Sequence, residues 1–218
     1  MNGRVVRHVI RAAGEVLLTV GAIGLLFLAY LVWGTGLRAA SAQRALTGEL
    51  NQQWQRAPGR GGAIGARAEE FSIATGQPFA FITIPAFGRQ WRYTLIQGTA
   101  LAQLNVSPGH VPGTQWPGQL GNFAVAGHRV TAGNPFWSLP SLARGDLVYI
   151  ETRRNDYTYR VTGKQMVLPT DTAVLDPVPG HPHQQPARRL ITLITCDPAW
   201  TGTHRVIVTG VLVAATPR

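Results

Sequence analysis

Apolar residues follow two different rhythms along this chain. Between Glu15 and Arg38 no charged residue occurs, and residues 16–33 are dominated by Val, Leu, Ile, Ala, Gly and Phe. As a helix this stretch spans about 27 Å, close to the hydrocarbon thickness of a bilayer. Trp33 and Tyr30 stand toward one end, where amphipathic rings favour the headgroup region. Beyond Phe71 the apolar runs become short, rich in β-branched residues and punctuated by Gly and Pro. They predict strands at 79–84, 92–96, 123–126, 146–152, 157–161, 166–168, 190–195 and 205–213, with a hairpin across the polar turn 153–156. Residues 99–106 suit a short helical turn, and 107–121 form a Pro/Gly-rich loop. Short strands without a long amphipathic helix or an internal repeat indicate an all-β barrel or sandwich.

The region between the two rhythms is neither. Residues 39–56 can be helical, but 57–62 (Ala-Pro-Gly-Arg-Gly-Gly) make a flexible break, and no sustained apolar periodicity argues for a core. The chain therefore divides into a tail at 1–15, a transmembrane helix at 16–33, a stalk or linker at 34–70 and a folded domain at 71–218. A cleaved signal peptide competes with an uncleaved anchor, since Ala39-Ala40-Ser41-Ala42 resembles a cleavage site. The apolar run is longer than a usual signal core, which favours the anchor. Arg4, Arg7 and Arg11 precede the span, while Arg38, Arg44 and Glu49 follow it. By the positive-inside rule the N-terminus is cytoplasmic and the folded domain extracytoplasmic.

Charge adds little. The net charge is +10, and among the 20 basic residues only Lys164 is a lysine. Apart from the pairs Arg153-Arg154 and Arg188-Arg189 the arginines are scattered, unlike the clustered basic face of a nucleic-acid binder. The excess suits weak attraction to anionic lipid or wall polymer.

The chemistry-bearing residue is Cys196, the sole cysteine, at the end of the apolar run 190–194 and followed by Asp197-Pro198. It cannot form an intramolecular disulfide, so its value lies in packing or in reactivity, and position alone leaves both open. A reactive thiol needs a base or a cation beside it. Of six histidines, His8 precedes the span, and His181 and His183 sit in a polar loop with no carboxylate nearby to complete a metal site. His110 lies in the Pro/Gly loop without an evident partner. His204 precedes Arg205, so in a strand the two face opposite ways. His128 ends the run 123–126 after a glycine, at a strand's mouth. No acidic cluster is dense enough for calcium.

Taken together, Thr192-Leu193-Ile194-Thr195-Cys196, the downstream Arg205 and Ala126-Gly127-His128-Arg129 resemble the sortase family, membrane-anchored cysteine transpeptidases of Gram-positive bacteria. Pro108-Gly109-His110, Pro117-Gly118-Gln119-Leu120-Gly121-Asn122, Pro135-Phe136 and Gly145-Asp146 extend the likeness over roughly 79–213 and look most like class E sortases of actinobacteria. The resemblance implies an eight-stranded β-barrel with short helical turns, with Cys196, His128 and Arg205 converging on one groove. Cys196 would be the nucleophile, His128 the general acid and base, and Arg205 the donor to substrate or oxyanion. Thr195 and Val111 would contact substrate, Thr195 serving equally for strand packing. The implied substrates are surface proteins with a sorting signal similar to Leu-Ala-x-Thr-Gly, cut between Thr and Gly. The acceptor would be an amine of a peptidoglycan precursor or a pilin. No cofactor or metal is expected.

Class E members often carry a Tyr after Pro-Gly-His; this chain has Val111. Asp197 sits directly after the nucleophile, where a carboxylate opposes thiolate formation unless it turns away and pairs with a cation. Two other readings stay open: a membrane-anchored cysteine peptidase that uses water as acceptor, and a non-catalytic wall-binding scaffold in which Cys196 is packed.

Overall fold

The structure, a computed structural model, describes residues 3–30, 35–56 and 73–218. Two helices come first, α1 (Gly3–Ala29) and α2 (Thr35–Arg56). Eight strands follow: β1 (Pro78–Thr83), β2 (Arg92–Gln97), β3 (Gly109–His110), β4 (Gly121–Ala126), β5 (Leu147–Thr152), β6 (Asn155–Val167), β7 (Arg189–Asp197) and β8 (His204–Pro217). A single turn of helix, α3 (Leu101–Leu104), and three short 3₁₀ turns lie in the connections.

The strands close into a barrel in the order β1-β2-β3-β4-β7-β8-β6-β5. Two joins are parallel, β2 with β3 and β4 with β7, and the rest antiparallel. Closure leaves no free sheet edges except where a partner is short. The expected eight-stranded barrel is present, but two of its strands were drawn differently. β6 is one strand of 13 residues rather than the pair 157–161 and 166–168. Its register slips against β8 at 158/159 and 161/163, so the polar middle stays paired while the apolar alternation is lost. β3 is only two residues long and hides within the Pro/Gly-rich loop.

Alternation fixes the interior. Val148 and Ile150 of β5, Phe123 and Val125 of β4, Ile191 and Leu193 of β7, and Val206 and Val208 of β8 all join one core cluster. Residues of opposite parity on β4, β7 and β8 therefore face outward.

β1 reads as a continuous apolar run because it is buried on both faces. Its outer face is covered by α2: Trp54 meets the Phe81 ring edge-on at 5.3 Å, and Ala39 and Leu50 are buried. The Gln43 side-chain oxygen accepts from Thr94 N at 2.9 Å, and its amide donates to Val106 O at 3.2 Å. The Thr47 and Thr94 hydroxyls share a 2.8 Å hydrogen bond. β3 pairs with β2 only at Ile96 and Gln97, so the side of Thr94 turned away from β1 lacks a strand neighbour and Gln43 takes that place.

The expectation of a coreless linker before Phe71 thus fails for α2. Residues 39, 43, 47, 50 and 54 share one helical face, but that face is built of Ala, Gln, Thr, Leu and Trp, so half its adhesion is polar. The Gly-rich break at 57–62, the end of the apolar stretch at 31–33 and the domain start at Phe71 lie outside the described residues. The apolar part of α1, Val6–Ala29, is long enough to cross a membrane, and none of it is buried within the protein. It begins earlier in the chain than the 16–33 span read from sequence.

Candidate active site

β4, β7 and β8 are neighbours, and their register builds the site. Cys196 and Arg205 are direct partners across β7 and β8. Parallel pairing of β4 with β7 runs to Ala126 opposite Ile194, and Gly127 N then donates to Ile194 O at 3.1 Å. Counting on, His128 falls beside Cys196. Core parity puts Cys196 and Arg205 on the outward face of one rung of β7 and β8, and His128 stands two residues past the end of the neighbouring β4. The sequence pairs of this trio are distant; only strand order brings them together.

Two glycines make this geometry possible. A Cβ on Gly127 would stand 2.7 Å from the Phe136 ring, so only glycine lets the end of β4 lie over that buried aromatic and deliver His128. Gly202, in the β7–β8 turn, has φ +59°. Its missing Cβ would stand 3.7 Å from Cys196 Sγ and 3.9 Å from Arg205 Nη1, so the turn wraps closely around both groups. Arg205 Nη1 donates to Gly202 O at 2.8 Å and to His204 O at 2.9 Å. Those bonds fix the guanidinium and both use Nη1.

His128 is half-buried, and that desolvation holds its pKa below the ordinary 6.5. It is therefore a neutral base at neutral pH. Its Nε2 lies 3.2 Å from Asn105 Oδ1, just past α3. Asn105 escaped the sequence reading, because nothing in a predicted helical turn marks it as a partner of a histidine 23 residues away. Cys196 is a free thiol of intermediate exposure.

The carboxylate beside the thiol is accounted for. Asp197 pairs with the Arg129 guanidinium, and both side chains are 17% exposed. Arg129 Nη1 also donates to Cys196 O at 3.4 Å.

Other candidates resolve differently. Thr195, expected to touch substrate, points the other way: it is 2% exposed, and its hydroxyl donates to Gly127 O at 2.8 Å. It stitches β7 to β4, as inward parity requires. His110, read as partnerless, is buried among Phe79, Trp116 and Phe123. Its Nδ1 meets Gln97 Oε1 at 2.6 Å, and its Nε2 lies 3.0 Å from Thr114 Oγ1 and 3.1 Å from Gln115 O. Burial lowers its pKa to about 4, so it is a neutral core histidine. Val111 continues β3, with its N–H donated to Ala124 O at 2.9 Å, beside the outward face of β4. His204 opposes Asp197 and is held by Thr203 Oγ1 at 3.1 Å, apart from Arg205 as expected. His181 and His183 are exposed, and no group of three metal-ligating side chains occurs among the described residues.

The connection between β6 and β7 packs over the start of β4, at the end of the strand away from Cys196. Asn122, outward on β4, donates to Val174 O at 3.0 Å and Asp176 O at 3.1 Å and accepts from the Thr192 hydroxyl at 2.7 Å. Cavities of about 480 Å³ between α2 and β2 and about 660 Å³ under residues 178–188 lie elsewhere; neither lining includes Cys196, His128 or Arg205. Cys196 and Arg205 instead face outward from the barrel at the strand ends. Together with His128 they suit acyl transfer: a nucleophilic sulfur, a base that is neutral at physiological pH and a fixed cation for a developing oxyanion.

Comparison with known proteins agrees. The family model described as a sortase domain matches residues 82–213. Sortase SrtE1 of Streptomyces coelicolor is 33% identical over 95% of this chain, which spans 58% of that relative's length. The structure of sortase E from Streptomyces avermitilis is 40% identical and superposes with a TM-score of 0.60 over 66% of this chain and 93% of its own. Sortase E1 of S. coelicolor, solved with a tripeptide in its active site, is 34% identical with a TM-score of 0.61, covering 67% of this chain and 94% of that one.

Proposed function

The chain belongs to the sortase family, whose members are cysteine transpeptidases, and on that premise we propose that it cuts a Leu-Ala-x-Thr-Gly-like sorting signal between Thr and Gly and passes the acyl group to an amine. The observation that supports this is the direct cross-strand pairing of Cys196 with Arg205, next to the end of β4 that leads into His128.

In the first half-reaction the Cys196 sulfur attacks the Thr carbonyl while His128 takes the thiol proton. Arg205 donates to the carbonyl oxygen as negative charge collects there, and its charge is permanent at any relevant pH. The C–N bond then breaks, and the His128 imidazolium returns its proton to the departing Gly amine. A thioacyl enzyme remains. In the second half-reaction an amine of a peptidoglycan precursor or a pilin attacks the thioester and gives its proton to neutral His128. The C–S bond breaks, and the sulfur leaves as the thiol. Val111, beside the outward face of β4, contacts the signal where other class E sequences present a Tyr.

α1 anchors the protein as a single-pass helix with a cytoplasmic N-terminus, which places the barrel outside the membrane among its secreted substrates. The test is a full chain in detergent micelles given a fluorogenic Leu-Ala-x-Thr-Gly peptide with and without wall-derived amines. An acyl adduct on Cys196 in the mass spectrum, converted to an amide only when amine is present, is the expected result. Hydrolysis product with every amine overturns the transferase reading.

A further inference from the structure

We infer that Arg129 is a positioning residue that permits Cys196 to ionise by neutralising the carboxylate placed next to it. The inference rests on the nucleophile reading above but concerns the thiol itself, before any substrate binds.

Asp197 is the residue after the nucleophile and Arg129 the residue after the base. Since β4 and β7 run parallel in register, the two lie on the next rung, facing away from the groove. An ionised carboxylate one residue from a sulfur opposes its conversion to thiolate, and half-burial weakens the solvent screening that would blunt that opposition. Here the carboxylate is met by Arg129 Nη1, and the same nitrogen reaches the carbonyl of Cys196 at 3.4 Å. One guanidinium therefore holds both the charge beside the thiol and the backbone that carries it.

The arrangement is costly enough to need a reason. Arg129 Nε is buried and makes no hydrogen bond, and the side chain is only 17% exposed. A guanidinium at that depth persists because its partner is a carboxylate, and the carboxylate persists for the same cause. Replacing the pair with apolar residues is commonly no worse for stability, so its retention at this rung suits an electrostatic task. The other charged or titratable groups around the sulfur are His128, just past the end of β4, and His204 and Arg205 on β8. His128 is neutral at pH 7, and His204 is turned to Thr203. Arg205 is a cation that favours the thiolate directly but is tied to the β7–β8 turn, while the ion pair of Asp197 is with Arg129.

The test is the iodoacetamide alkylation rate of Cys196 at pH 7, measured on the full chain in detergent micelles without peptide. Arg129→Gln should slow alkylation about tenfold, the effect of one uncompensated charge on a nearby thiol. Arg129→Lys should recover most of the rate. Asp197→Asn should alkylate several-fold faster than wild type, because Arg129 is then left without its counter-charge. The double variant Arg129→Gln/Asp197→Asn should return to within about threefold of wild type, the factor separating it from a tenfold loss. A double variant as slow as Arg129→Gln would make Arg129 a purely structural brace and overturn the inference. So would an Asp197→Asn rate equal to wild type, a measurement that stands even if Arg129→Gln fails to fold. A failed transfer assay with this alkylation pattern intact would count against the proposed reaction and leave the electrostatic role standing.

Discussion

Cys196 and Arg205 are cross-strand partners at the mouth of the β7–β8 pair, and the turn that joins them closes at Gly202 within 4 Å of where both side chains begin their chemistry. The pairing fixes the guanidinium relative to the sulfur by backbone hydrogen bonds instead of by side-chain packing. It also explains the spacing of nine residues between them, which is made up of the two strand ends and the six-residue connection 198–203.

Arg205→Lys should therefore cost far more than its charge suggests. A lysine ammonium cannot donate to Gly202 O and His204 O while also presenting a second nitrogen to an oxyanion. Acylation should fall by roughly two to three orders of magnitude, as when an oxyanion donor is removed, with little change in melting temperature. Wild-type acylation in this variant would remove Arg205 from the mechanism.

The depressed pKa of His128 sets the pH profile of deacylation. The amine-attack step needs neutral imidazole, and the shift is downward from 6.5 through burial. Amine transfer should therefore keep more than half of its neutral-pH rate at pH 6.5 and decline below, apart from the acceptor's own titration. NMR titration of His128 in the full chain should give a midpoint under 6.5; a midpoint above it contradicts the buried setting.

Asn105 orients that base. Asn105→Ala removes the oxygen 3.2 Å from His128 Nε2 and should lower kcat about tenfold while leaving peptide KM nearly unchanged, as expected of a group acting on the base. Peptide turnover kinetics separate the two parameters. A pure KM effect would move Asn105 into substrate contact.

His110 predicts acid sensitivity of the fold. Its folded pKa is lowered to about 4, while the unfolded chain takes up the proton near 6.5. Between those values the unfolded state binds more protons, so stability falls with falling pH, by up to about 3 kcal/mol for this group. Thermal melts at pH 7.5, 6 and 4.5 should show a steeper decline for wild type than for His110→Gln. Parallel slopes would mean that other groups carry the acid response.

Helix α2 should contribute to barrel stability. Leu50 is 1% exposed, so Leu50→Ala should cost about 2–4 kcal/mol. Gln43→Leu leaves the Thr94 amide without its acceptor and should cost about 1–3 kcal/mol. Urea denaturation of the full chain reads both. Wild-type midpoints would make α2 a passenger on the barrel.

The candidate trio is legible because strand ends and short motifs are local signals: a cysteine closing a β-branched run, a His after glycine, an Arg opening the next run. What stayed hidden depends on through-space partners of unremarkable type. Asn105, Gln97 and Gln115 gain meaning only from the histidines they meet, and Thr195 became a strand stitch once parity sent it inward. β6 was split because its bulges break the alternation that a strand reading relies on. The helix at 39–56 is readable, but its packing on the barrel is not, because polar side chains supply much of its grip on β2.

That grip bears on where the proposed reaction would take place. Ala29 and Thr35 are six residues apart, a path of at most about 22 Å, and from Ala39 to Trp54 one face of α2 is fastened to the barrel wall. With α1 as the anchor proposed above, that fastening would hold the barrel on a short leash over the bilayer. A client would then have to bring its tail down to that layer, so that the length of chain between its last folded domain and its sorting signal would act as a selection rule in its own right.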